Sequence, residues 1–229
     1  MKLKGFFYKA LSILLLRYTS WNSMRLKRDI RVRAIDRIHV GCGDVFLPGW
    51  LNILYEGREG YGRVKTFQDA TYLNYNLLNP WPIDDETISY ISGSHFIEHL
   101  ELSDGIVFLQ ECYRVLKKGG VVRLSCPDLE TYATQYVANN VAFFNHPEIQ
   151  KACCFKDAVT PGEIFIAKAY DSGGAHKWFY DFDSLKHIAE RAGFTAVYKR
   201  ERLTGECPDL EKLEPPQREI ETVYCEAIK

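Results

Sequence analysis

The chain has 229 residues, 46% of them apolar and 26% charged. That is the composition of a soluble globular protein with one sizeable core, and it excludes a largely disordered or membrane-embedded chain. The net charge of −1 hides a segregation: residues 1–37 carry ten Lys/Arg against Asp29 and Asp36, a balance of +8, leaving −9 for the remainder.

A basic arm over residues 1–35 comes first. Within "GFFYKALSILLLRYTSW", Phe7, Leu11, Leu14 and Tyr18 recur at helical spacing. Lys9 and Arg17 interrupt the run, so it is too short to span a bilayer, and it lacks the small-residue cleavage site of a secretory signal. The pattern predicts an amphipathic helix. Its partner is either an anionic membrane surface or the acidic domain of its own chain.

Beyond the arm, "RIHVG" (37–41) and "GWLNIL" (49–54) read as strands. "ATYLNYNLL" (70–78) holds a third, ending at the turn "NPWP", and "TISYIS" (87–92) a fourth. Ile106, Leu109, Tyr113 and Leu116 mark a helix closed by Lys117-Lys118-Gly119-Gly120. "VVRLSCP" (121–127) follows as a strand. A second helix is expected from a cap at Asp183 through Leu185, Ile188, Ala189 and Ala192 to Gly193. "FTAVYKR" (194–200) and "IETVYCEAIK" (220–229) complete the strands. Residues 138–180, weakly periodic and rich in Phe, Tyr and His, read as an insertion that covers a ligand mouth. Alternating strands and helices predict an α/β fold around a mostly parallel sheet.

The seven cysteines (Cys42, Cys112, Cys126, Cys153, Cys154, Cys207, Cys225) are odd in number and lack C-x-x-C spacing. They argue against a disulfide framework or zinc cage, and a reducing cytoplasm is the simplest setting.

Two stretches carry chemistry. "GCGD" (41–44) places glycines at the end of the first strand, where backbone can approach a ligand in the crevice of such a sheet. Phe46 stands where a dinucleotide fingerprint needs its third glycine, which disfavours NAD. "GSHFIEHL" (93–100) spells H-x-x-E-H, the zinc signature of one peptidase class when it lies within a helix. The strand-like run up to His95 argues against that geometry.

In order, "IHVGCGDVFLPGWLNIL", "HFIEHL" and "RVLKKGGVVRLSCPD" resemble class I S-adenosylmethionine-dependent methyltransferases, specifically a bacterial group related to the type 11 methyltransferase domain. The resemblance spans about residues 36–229. It implies a Rossmann-like three-layer sandwich of about seven strands, the last antiparallel, with the first crossover shortened because only "DVFLP" separates the first two strands. It implies S-adenosylmethionine as cofactor, with backbone contacts from Gly41, Cys42 and Gly43. Asn76 stands in place of an aspartate near the adenine, with Leu77 beside it. Leu54 holds the usual site of the ribose-binding acid, and Glu56, two residues on, replaces it.

For catalysis, His95 is the first general-base candidate and a cofactor neighbour, since it stands at the C-terminal edge of the fourth strand and an imidazole suits proton transfer near neutrality. His176 is a second candidate, backed by an aromatic wall of Trp178 and Tyr180. Asp128 is a third, unless it caps the following helix. Some relatives hold a divalent ion with Glu-His at the place of Glu98 and His99. His95 stands where a further carboxylate would be required, so no metal is expected. The implied acceptor is a small molecule or a saccharide precursor of surface polymers. The acidic domain disfavours nucleic acid, and the arm suits peripheral contact with the inner face of a membrane. Two other readings stay open: a repurposed fold-mate without methyl transfer, and a metal-dependent hydrolase using His95, Glu98 and His99.

Overall fold

The computed structural model describes residues 24–229 apart from 68, 154 and 171–174. The stripe from Phe7 to Tyr18 lies outside the described residues. The part of the arm that is described, helix α1 (residues 24–31), packs on the domain. Leu26 and Ile30 enter the main core, and Arg31 Nη2 meets Asp84 Oδ2 at 2.6 Å.

Eight strands follow the arm: β1 (Arg37–Val40), β2 (Leu51–Leu54), β3 (Val64–Phe67), β4 (Ala70–Asn74), β5 (Ile88–Ser94), β6 (Leu116–Pro127), β7 (Ala196–Arg200) and β8 (Thr222–Ile228). They form one sheet in the order β3-β4-β2-β1-β5-β6-β8-β7. The five strands β4, β2, β1, β5 and β6 are parallel. β3 runs antiparallel at one edge, and β8 runs antiparallel between β6 and β7. The expected strands are all present. β3 is additional.

Side chains alternate across a strand, and here the two faces differ sharply. One carries Ile38, Val40, Leu51, Ile53, Leu73, Ile91, Val122, Leu124 and Cys225, packed under α1, α2 (Leu102–Val115) and α7 (Phe182–Ala192). The other buries polar groups: His39, Asn52, Asn74, Ser92, Arg123, Ser125 and Glu226. Ten residues without a helix join β1 to β2, as the short spacing predicts. Leu47 and Trp50 of that link pack on Cys207, Leu210 and Leu213 from the β7–β8 connection, which holds the short helix α8 (Leu210–Leu213). The third layer is therefore made of loops and one helical turn.

The buried polar groups are paired. Asn52 accepts from Leu47 N (2.9 Å) and donates to the carbonyls of Leu47, Trp50 and Thr71, at 3.0, 3.1 and 3.1 Å. Arg123 donates to Glu214 Oε1 at 2.6 Å and to the carbonyls of Thr204 and Glu201. Burying a cation is tolerable only with such complete pairing.

Two boundaries differ from expectation. Helix α2 stops at Val115 because Leu116 already pairs with Ile88, and the Lys117–Gly120 turn is absorbed as an irregularity between β5 and β6. The cap of α7 is Asp181, two residues before the expected Asp183. Its carboxylate receives Ser184 N at 2.8 Å, and Ser184 Oγ accepts from Asp181 N, a reciprocal cap.

Helix α3 (Leu129–Val137) precedes three short helices, α4 (Val141–Phe144), α5 (Pro147–Ala152) and α6 (Pro161–Tyr170). This excursion has its own small core of Tyr132, Phe143, Phe144, Ile149 and Ile164. Its ends meet where Asp128 bridges Tyr180, just past β6. The insertion thus stands at the edge where the parallel strands finish. Among the described residues, no helix is long and apolar enough to cross a membrane.

Candidate active site

Because β4, β2, β1, β5 and β6 run in parallel, the residues after each of them gather along one sheet edge. The pairing of Val40 with both Ile53 and Gly93 sets Gly41 beside the β5 exit. A Cβ on Gly41 would lie 2.7 Å from Phe96 Cδ2, so the first turn of the loop packs directly on the 95–96 segment. Gly41 and Gly43 have φ of +61° and +50°, a region that side-chain-bearing residues avoid. Nothing lies within 4 Å of a Cβ built on Gly43, so that residue borders open space.

Cys42 is buried, its N–H donating to Ile53 O at 3.3 Å. Burial pushes its thiol up to about 12, and the nearby carboxylates of Glu56 and Asp44 add to the effect. Glu56 is exposed and oriented: Tyr72 Oη donates to Oε2, while Asn74 Oδ1 receives Glu56 N at 3.0 Å. It thus presents a carboxylate beside the glycine loop. Leu54 is half-buried at the end of β2. Asn76 lies past β4 with Oδ1 accepting from Leu78 N at 3.0 Å, which leaves its amide NH2 as the side-chain donor. Leu77 is 6% exposed and packs in the main core, so only its backbone is left to meet a ligand.

His95 follows β5 with φ +49°, a strained conformation for a side-chain-bearing residue and one that recurs at functional sites. Its N–H donates to Ser125 O at 2.8 Å. Its ring is engaged on both sides. Thr222 Oγ1 spends its proton on Arg218 O at 2.5 Å, so at 3.2 Å it can only accept from His95 Nε2–H. His95 Nδ1 lies 3.2 Å from Glu98 Oε1, within ion-pair distance, and among the described residues neither Glu98 oxygen has a well-aligned hydrogen bond. Nε2–H is thus engaged by Thr222, while Nδ1 faces the buried Glu98 carboxylate.

Glu98 is 1% exposed. Burial works to raise its pKa, but His95, a backbone N–H and His99 outweigh that and hold it below the usual carboxylate range. Glu98 and His99 lie in the single 3-10 turn Ile97–His99, not within an α-helix, so the string does not form the peptidase motif. That turn clamps the 175–178 segment. Glu98 O accepts from Lys177 N at 2.7 Å and Trp178 N at 3.2 Å, and His99 Nδ1 donates to Ala175 O at 3.1 Å. His176, 8% exposed, is thereby brought edge-on to His99, ring centroids 4.9 Å apart.

The remaining candidates separate. Asp128 caps α3: Oδ1 receives Glu130 N at 3.1 Å and Oδ2 receives Thr131 Oγ1 at 2.8 Å, so its carboxylate is spent on structure. Tyr180 is fully buried in the main core and forms no wall. Trp178, 41% exposed, does present a surface.

Residues 38–124 match the methyltransferase domain family, a span from β1 into β6. That match spans 87 of the 229 residues, and with the mostly parallel strand order it makes this part of the chain similar to methyltransferase domains, whose methyl donor would be S-adenosylmethionine. The residues fit that group: open space over Gly43 admits it, and the oriented Glu56 carboxylate suits vicinal ribose hydroxyls in place of Leu54. None of the curated proteins compared matches the chain. Among solved structures, the chain is similar to an S-adenosylmethionine-dependent methyltransferase, possible histamine N-methyltransferase, of Thermotoga maritima. The two are 16% identical over 94% of this chain and 95% of that one, with a TM-score of 0.49. An S-adenosylmethionine-dependent methyltransferase of Archaeoglobus fulgidus is 15% identical over 90% and 92%, with a TM-score of 0.44.

Proposed function

We propose that the protein transfers a methyl group from S-adenosylmethionine to a hydroxyl-bearing small molecule or saccharide. The observation that carries this reading is the loop 41–43, open above Gly43 and flanked by the Tyr72-oriented Glu56. When bound, S-adenosylmethionine supplies a methyl carbon activated by its sulfonium. The chain's part is to hold the ribose through Glu56, to offer backbone groups of Gly41–Gly43, and to exclude water with the 138–180 excursion. Trp178 offers a flat, exposed face of the kind that stacks on sugar rings or aromatic acceptors.

Calorimetry with S-adenosylhomocysteine tests the reading. Binding that weakens in Glu56→Ala supports it; no binding at millimolar concentration would overturn it in favour of a repurposed fold-mate. The basic arm, residues 1–35, is assigned to an anionic membrane surface on its nine Lys/Arg against Asp29 alone. Equal partition of the intact chain and a 1–23 deletion onto phosphatidylserine vesicles would dispose of that assignment.

A further inference from the structure

We propose that Asn74 and Tyr61 are positioning residues that set the selectivity of the methyl-donor site for a nucleoside bearing ribose hydroxyls. They touch no ligand themselves. They act by fixing the two loops that carry Glu56 and Asn76. That role rests on the methyltransferase reading, whereas the bonds that join the loops do not.

β2 and β4 are parallel neighbours with Leu54 opposite Asn74, so the chain leaves both strands side by side at the sheet edge. From β2 emerges "YEGREGYG" (55–62) and from β4 emerges "YNLLNP" (75–80). Glu56 stands on the first loop and Asn76 on the second. Asn74 is 2% exposed, and the first loop is wrapped around its amide. Oδ1 accepts from Glu56 N at 3.0 Å, and Nδ2 donates to Glu59 O at 2.7 Å and to Gly57 O at 3.3 Å. The main-chain carbonyl of Asn74 accepts from Gly62 N at 2.9 Å. One buried side chain thus fixes the backbone on which the Glu56 carboxylate stands. Tyr72 fixes the carboxylate itself, its hydroxyl donating to Oε2. Burial and the charge of Glu56 push the Tyr72 phenol up, so that donor keeps its proton.

Tyr61 ties the first loop to the second. Its ring stacks on Tyr75, with centroids 5.3 Å apart and planes 14° from parallel. Its hydroxyl accepts from Asn79 Nδ2 at 2.7 Å, and Tyr75 Oη donates to Pro80 O at 2.7 Å. Both ends of the turn that carries Asn76 are therefore held against the loop that carries Glu56. A carboxylate and a carboxamide kept at one spacing before any ligand arrives form a preorganised site, because neither must be ordered on binding.

The test is calorimetry on the full chain with S-adenosylhomocysteine and with its analogue lacking both ribose hydroxyls. The intact chain should prefer the hydroxyl-bearing form by about tenfold or more, as befits hydrogen bonds to a charged acceptor. In Asn74→Asp and in Tyr61→Leu this preference should shrink toward that of Glu56→Gln, although both variants retain Glu56. Tyr61 is 37% exposed, so its variant keeps the test decisive even where Asn74→Asp fails to fold; circular dichroism and melting identify the folded samples. A general loosening would weaken both ligands alike. An unchanged preference in the folded variants therefore overturns the positioning role and leaves the methyltransferase reading standing. Binding of neither ligand to the intact chain removes both, and binding without preference removes the positioning role alone.

Discussion

Gly41 is the residue at which the loop proposed to cradle the cofactor packs against Phe96. With φ +61° and Phe96 in the path of any Cβ, Gly41→Ala combines left-handed strain of about 1–2 kcal/mol with displacement of Phe96. It should lower the unfolding free energy from urea melts by at least that amount and weaken S-adenosylhomocysteine binding, whereas Gly43→Ala, with open space beside it, should lose less stability. His39 makes a pH prediction. Burial lowers its pKa to about 4, against its bonds to Asn52 and Val45, so the folded state keeps it neutral while the unfolded chain takes up a proton near 6.5. Its contribution is complete above that value and is lost as pH falls toward 4, by about 3 kcal/mol. Denaturant melts across this window should show a steep loss that is reduced in His39→Gln. The glycines and Glu56 were legible because their positions are set by strand ends. The packing of His176 against His99 was not: the two are far apart in sequence, and the 3-10 turn brings them together.

At the scale of elements, the missing first helix is offset by one side chain. Asn52 holds the helix-less link at Leu47 and Trp50 through backbone groups. Asn52→Leu keeps the volume but leaves those buried groups unpaired, so a loss of about 3 kcal/mol is expected by chemical denaturation, together with weaker nucleoside binding. Arg123 plays the corresponding part across the sheet. Arg123→Ala removes the cation from Glu214, 2% exposed, while the neighbouring buried Glu226 keeps Arg200, and should cost about 3–5 kcal/mol. An unchanged midpoint would show that water reaches these carboxylates. The strands that sequence reading found were those with apolar runs. β3 escaped because its residues are largely exposed and it pairs only at an edge. The Asp181 cap was displaced to Asp183 because both acids precede the apolar stripe, and only the partner three residues on, Ser184, separates them.

For the whole molecule, the alternation of strands and helices revealed the parallel sheet but not the contrast between its faces. Apolar periodicity reports what an element buries, and a strand with Asn52 or Arg123 inward looks half-exposed until its partners are known. The link between β1 and β2 rests on the connection between β7 and β8: Trp50 Nε1 donates to Asp209 Oδ2 at 3.0 Å, and Leu47 packs with Leu210 and Leu213. A segment cut to the recognisable stretch 38–124 would carry the signature and lack its buttress. Leu213→Ala, remote from every cofactor residue in sequence, should therefore lose about 2–5 kcal/mol and loosen nucleoside binding with it. The loop proposed to hold the methyl donor thus leans on residues some 160 positions further along, which brace it from behind.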